Sequence, residues 1–157
     1  MHQINIFTNS LFFTDQKDSE FKKETIKTKR VDKTTFTNML KNFAAKLVKN
    51  YNISFQDVFI DNIKYYEDLK DQTNLKIVTT NVLFQGLYMV DVDEDCGIIF
   101  FERDSGEFIC HHTDFIPKFN FIARENTIVC VPSNIDFKLK KNKSDKKRRY
   151  IYFTLSV

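Results

Sequence analysis

A chain of 157 residues, 42% hydrophobic and 29% charged, can bury one substantial core and is too apolar to remain disordered. The formal net charge of +3 is unevenly spread: Lys138 to Arg149 hold eight cations and one anion, Asp145, so this run carries +7 and the remainder −4. That asymmetry excludes a uniformly basic nucleic-acid coat and implies a directional field. Cys96, Cys110 and Cys130 show no CxxC spacing, which argues against a disulfide framework or structural zinc and for reduced thiols. No apolar run approaches the roughly 20 residues that cross a bilayer, and no secretory pattern opens the chain. Seventeen Phe against three Gly and two Pro predict a core of large flat side chains.

In chain order, "QINIFTNSLFF" alternates as an opening strand with a turn at Thr8–Ser10. "DSEFKKETIKTKR" reads as a short helix capped by Asp18 or Ser19. In "TTFTNMLKNFAAKLVKN", Phe36, Met39, Leu40, Phe43, Ala44, Leu47 and Val48 recur at helical spacing, with Asp32 or Thr34 to cap the start and Asn50 the end. This is the principal helix, and its apolar stripe either packs on the domain or meets a partner. After Asn52 the period falls to about two. Strands are predicted near 75–80, 84–92, 97–103, 107–111, 119–124, 127–131, 135–140 and 149–156, separated by the turn signals "DEDCG", "RDSG", "IPKF" and "REN". The organisation expected is one domain over 1–157, with an N-terminal strand and helices in 1–52 and a β-rich half in 53–157.

The basic run sits between two alternating segments, Ile135/Phe137/Leu139 before it and Tyr150 to Leu155 after it. It is therefore expected as the tip of a hairpin over 138–149 rather than a free tail. Its lysines serve a solvated loop that discourages edge association, a phosphate-binding site, or a contact with an acidic protein. No aromatic residue lies within the tip to stack on bases.

Three stretches resemble one family. "FQGLYMVDVDEDCGIIFFER", "ENTIVCVPSNIDFKL" and "RRYIYFTL" look like successive strands of the 2-oxoglutarate/iron(II) oxygenase-like proteins found widely in tailed phages. Gly86-Leu87-Tyr88, Gly97-Ile98-Ile99-Phe100, Val131-Pro132-Ser133 and Arg148 through Phe153 match the family's strands in order, and "INIFTNSLFF" looks like its first strand. The resemblance covers about half the chain. It implies a mainly β fold with N-terminal helices: a double-stranded β-helix, or jelly roll, backed by one or two helices.

The resemblance also implies where iron ligands should stand. The first His and its carboxylate partner belong just before "FQGLY", where Thr79, Thr80, Asn81 and Val82 occur, and the distal His falls on Phe137. Phe cannot coordinate iron. Arg148 or Arg149 matches the Arg that pairs with the oxoacid carboxylate. A rival H-x-D pattern, His112-Thr113-Asp114 beside His111, has no later His to complete a triad, and a hydrogen-bonded His pair is the plainer reading. Glu94 and Asp95 lie in a turn, where solvated charge explains them.

The expectation is thus a non-enzymatic structural or adaptor subunit of a large assembly, most plausibly a tailed-phage virion, located in the virion or host cytoplasm. Neither metal nor cofactor is expected, nor a membrane. The partners expected are other protein subunits, reached through Lys140, Lys141, Lys143, Lys146, Lys147, Arg148 and Arg149. The alternatives are a nucleic-acid-facing accessory protein using the basic run, and an oxygenase with an atypical metal site.

Overall fold

The computed structural model describes residues 1–6, 9–52, 54, 58–77, 82–94, 96–103 and 118–156. The described chain runs β1 (His2–Ile6), β2 (Asn9–Asp15), α1 (Ser19–Thr28), α2 (Lys33–Lys49), β3 (Phe59–Asp68), β4 (Phe84–Asp91), β5 (Ile98–Arg103), β6 (Lys118–Ile122), β7 (Thr127–Pro132), β8 (Ile135–Leu139) and β9 (Arg148–Ser156). A larger sheet has the order β1-β2-β7-β4-β9-β3 and a smaller one the order β6-β5-β8. Every pairing is antiparallel. From β4 the described chain passes to the smaller sheet for β5 and β6, returns to the larger for β7, crosses again for β8 and ends in the larger with β9. Two facing antiparallel sheets joined in this way form a double-stranded β-helix, or jelly roll, backed by two helices.

Both helices begin on aspartates. The Asp18 carboxylate accepts from the Phe21 amide at 2.9 Å, and Asp32 accepts from the Thr34 and Thr35 amides at 3.0 and 3.3 Å. Each cap satisfies amides that the first helical turn leaves unpaired. The stripe read from the sequence faces inward: Phe36, Leu40, Phe43, Ala44, Leu47 and Val48 are buried. They cover the outer face of the larger sheet together with Phe84, Tyr88, Val90, Ile128, Ile151 and Phe153. The Phe36 ring meets Phe153 edge-on at 5.6 Å. Each fully buried side chain of this size contributes about 1.5–3 kcal/mol.

β4 is buried at all eight positions because its two faces meet different partners. Phe84, Tyr88 and Val90 face the helices, whereas Leu87 and Met89 join the core between the sheets. Gly86 lies opposite Phe153 on β9, and a Cβ there would stand 2.5 Å from the Phe153 ring and 2.7 Å from the Val129 carbonyl oxygen. A glycine is what lets that ring lie across the strand.

Several expectations need correction. β3 was missed: its alternation is broken by a register shift between Asp61 and Lys64, with Asn62 in the left-handed region at φ 48°, and it is a half-exposed edge strand. Asn9 and Ser10 already belong to β2, so the predicted turn at Thr8–Ser10 is shorter, and residues 7 and 8 lie outside the described chain. Residues 75–77 are not strand, while 78–80 and 107–111 lie outside the described residues. The basic run is not a hairpin tip. β8 pairs with β5 in the smaller sheet and β9 lies between β4 and β3 in the larger one, so residues 140–147 form a crossover between sheets. Alternation on both sides of a loop fixes two strands but does not make them partners.

Candidate functional site

Two places concern function: the space between the sheets and the end of the fold where the basic crossover lies. In β8, Ile135, Phe137 and Leu139 point inward and Asp136 and Lys138 outward, a period of two. Phe137 is 2% exposed, and its ring packs against Phe101 and Tyr152 at centroid distances of 6.2 and 6.4 Å. Phe137 thus points into the space between the sheets. Around it, Gln85, Leu87, Ile99, Phe101 and Val131 line a space too small to admit a water molecule. Gln85 crosses between the sheets, its amide donating to the Ile135 carbonyl at 2.7 Å, while its Oε1 has no partner among the described residues.

No group of three His, Cys, Asp or Glu residues among those described could hold a metal ion. Phe137 stands at the strand position the resemblance assigns to a His, and its side chain has no atom that can ligate iron(II). Thr79, Thr80, Asn81, Asp95, Cys110, His111, His112 and Asp114 lie outside the described residues. Val82 is buried, Glu94 is exposed, Cys96 is half-buried and Cys130 is buried, its thiol pushed up by burial.

Arg148 opens β9 directly opposite Asp68, the last residue of β3, and both side chains are completely buried. The guanidinium Nε donates to Asp68 Oδ2 at 3.0 Å, and Nη2 donates to the same oxygen. Nη1 donates to the Cys96 and Lys140 carbonyls at 2.8 and 2.7 Å. The Tyr150 hydroxyl donates to Asp68 Oδ1 at 3.2 Å, which with burial raises its pKa. A buried ion pair tolerates desolvation only when its remaining donors and acceptors are satisfied in this way. Arg148 therefore does not stand open to an oxoacid carboxylate.

Four more cations of the basic run are held against acids of their own domain. Lys143 pairs with Asp71 at 2.6 Å, Lys146 with Asp91 at 2.8 Å and Asp93 at 3.6 Å, and Lys147 with Glu67 at 3.6 Å. Arg149 reaches Glu67 at 3.3 Å and Asp91 at 2.5 Å. Burial pushes the Asp91 carboxyl up, but hydrogen bonds from Lys146 and Arg149 outweigh it and hold the group below its ordinary range. Glu67 behaves alike: burial is outweighed by hydrogen bonds from Tyr65 and Arg149 and by the charges of Lys147 and Lys29. Lys140 and Lys141 are exposed. The structure thus brings together Lys143, Lys146, Lys147, Arg148 and Arg149 around Glu67, Asp68, Asp71, Asp91 and Asp93. The Lys143–Asp71 pair is exposed on both sides and contributes little, whereas Glu67 and Asp91 meet their cations largely shielded from water.

Asn142, which the sequence reading passed over within the lysine run, fastens the crossover. It is fully buried; its side-chain amide donates to the Asp68 and Lys146 carbonyls at 3.2 and 2.8 Å, and its backbone exchanges hydrogen bonds with Asp71 and Gln72. Asp68 was likewise unread. The bonds that tie them into the fold, Asn142 to Asp68 and Asp68 to Arg148, join residues more than seventy positions apart, which no local pattern reveals.

No family model and no curated protein matches the chain. Among solved structures, it is similar to the crystal structure of an oxidoreductase of the 2OG-Fe(II) oxygenase family from Burkholderia pseudomallei, at 13% identity and a TM-score of 0.49, over 99% of this chain and 72% of that one. The expectation that the chain is not an enzyme is corrected by this finding, since the neighbour is titled an oxidoreductase. No helix among the described residues is long and apolar enough to cross a membrane.

Proposed function

We propose that this oxygenase-type jelly roll serves as a structural or adaptor subunit of a larger assembly, with a tailed-phage virion as the assembly that its motifs favour. The observation that supports this reading is the packed interior: Phe137, Phe101 and Tyr152 fill the space between the sheets where a bound cofactor would need room. A jelly roll with a filled interior presents its outer surfaces as its means of interaction, and Lys140 and Lys141 are exposed at the crossover. A nucleic-acid role for the run has less support, since five of its cations already sit within 4 Å of carboxylates.

Catalysis is compatible with such a role. An oxygenase with an atypical metal centre is the second reading, motivated by His112-Thr113-Asp114 in the sequence. Two measurements separate the readings. Isolation of the tagged chain from its native source, with size analysis and identification of co-purifying proteins, should yield a stable multi-protein complex; a chain that runs only as a free monomer refutes the adaptor role. Anaerobic iron(II) titration with a 2-oxoglutarate decarboxylation assay tests the second reading: one iron per chain with turnover establishes the oxygenase, and the lack of both refutes it.

A further inference from the structure

The Asp68 carboxylate lies in a complete set of donors. Its Oδ2 takes Nε and Nη2 of Arg148, and its Oδ1 takes the Asn74 amide at 2.7 Å and the Tyr150 hydroxyl at 3.2 Å. None of these donors belongs to β3, the strand that carries Asp68: two side chains come from β9 and the amide from the segment after β3. The guanidinium is aimed independently of Asp68, because the Cys96 and Lys140 carbonyls hold Nη1 and the Tyr150 ring lies 5.7 Å from its carbon. Tyr66 stacks on Tyr150 at 5.4 Å and holds that ring in turn. Two bonds from a cationic donor to one oxygen and two from neutral donors to the other are what a free carboxylate requires on leaving water.

We propose that Arg148, Tyr150 and the Asn74 amide form a carboxylate-binding seat that Asp68 fills as a tethered occupant. A free monocarboxylate takes the seat once the side-chain carboxyl is removed. In the unaltered chain the seat is closed to free acids, so Arg148 recruits none. The inference stands on this geometry alone and does not depend on the assembly role.

The test is Asp68→Ala, which deletes a group the size of formate and leaves Arg148 uncompensated. Formate should raise the melting temperature of D68A saturably, as ligand linkage requires, while chloride at equal ionic strength should not. Acetate should act likewise on Asp68→Gly. The double variant D68A/R148M should show no response, nor should Asp68→Asn, whose amide fills the space. If D68A is unfolded alone, refolding in formate should restore its circular dichroism. Failure of formate to stabilise or refold D68A overturns the proposal, and so does Arg148-dependent binding of 2-oxoglutarate to the unaltered chain.

Discussion

Replacing Phe137 with alanine tests the packed interior directly. The side chain is 2% exposed and touches two further aromatic rings, Phe101 and Tyr152, from different strands. Losing its transfer free energy accounts for about 1.5–3 kcal/mol. The neighbours belong to paired strands of two sheets and cannot collapse into the space, so the residual cavity brings the total to about 3–5 kcal/mol. For a chain of this length each kcal/mol lowers the melting temperature by about 2–4 °C, giving a fall of roughly 6–20 °C. Urea unfolding followed by circular dichroism gives the free energy, and calorimetry gives the temperature. A small aromatic such as benzene should recover part of the loss by filling the dry cavity. A cost below about 1 kcal/mol would refute the reasoning, for it would mean that the interior is loose or already hydrated.

Two further outcomes are expected. In Gly97→Ala the new Cβ would lie 1.8 Å from the Ala123 carbonyl oxygen, so backbone must move; overpacking of this kind costs about 1–3 kcal/mol or more, and an unfolding midpoint equal to that of the unaltered chain would count against the close approach. The carboxyls of Glu67 and Asp91 titrate below their ordinary range in the folded chain, so the unfolded chain takes up protons first as pH falls. Their stabilisation is therefore fully present above about pH 5 and is lost as pH drops through the folded pKa values. Arg149→Met removes a partner of both and should flatten that acid limb; an equally steep limb in the variant would show that other groups govern it.

What the sequence revealed follows what is local. The cap at Asp32 and the stripe from Phe36 to Val48 depend on neighbours within a few positions, and both are found where the spacing placed them. The strands of the second half were legible because burial on one or both faces imposes alternation or an unbroken apolar run, as at Leu87–Val90 within β4. β3 was illegible because Asn62 in the left-handed region breaks the alternation, and charged residues mark its exposed side. At the candidate site, Phe137 could be read from its place in a motif. The Arg148–Asp68 pair could not, since it joins positions eighty residues apart. The positive run looked like a free surface for the same reason: its acidic partners come from the ends of β3 and β4 and from the residues just beyond them.

The position of β9 bears on how the fold is made. It is last in chain order, yet it lies inside the larger sheet between β4 and β3, with every residue from Tyr150 to Leu155 buried. During synthesis β3 and β4 leave the ribosome well before the strand that will join them, and β2 waits longer still for β7. Until then the apolar face of α2 has only an incomplete platform, and two strand edges stand open to other nascent chains. Such non-local pairing slows folding, because loop closure must precede any reward from contact. Yield in a cell should therefore improve with slower translation, lower temperature or a chaperone that shields β3 and β4 until β9 arrives.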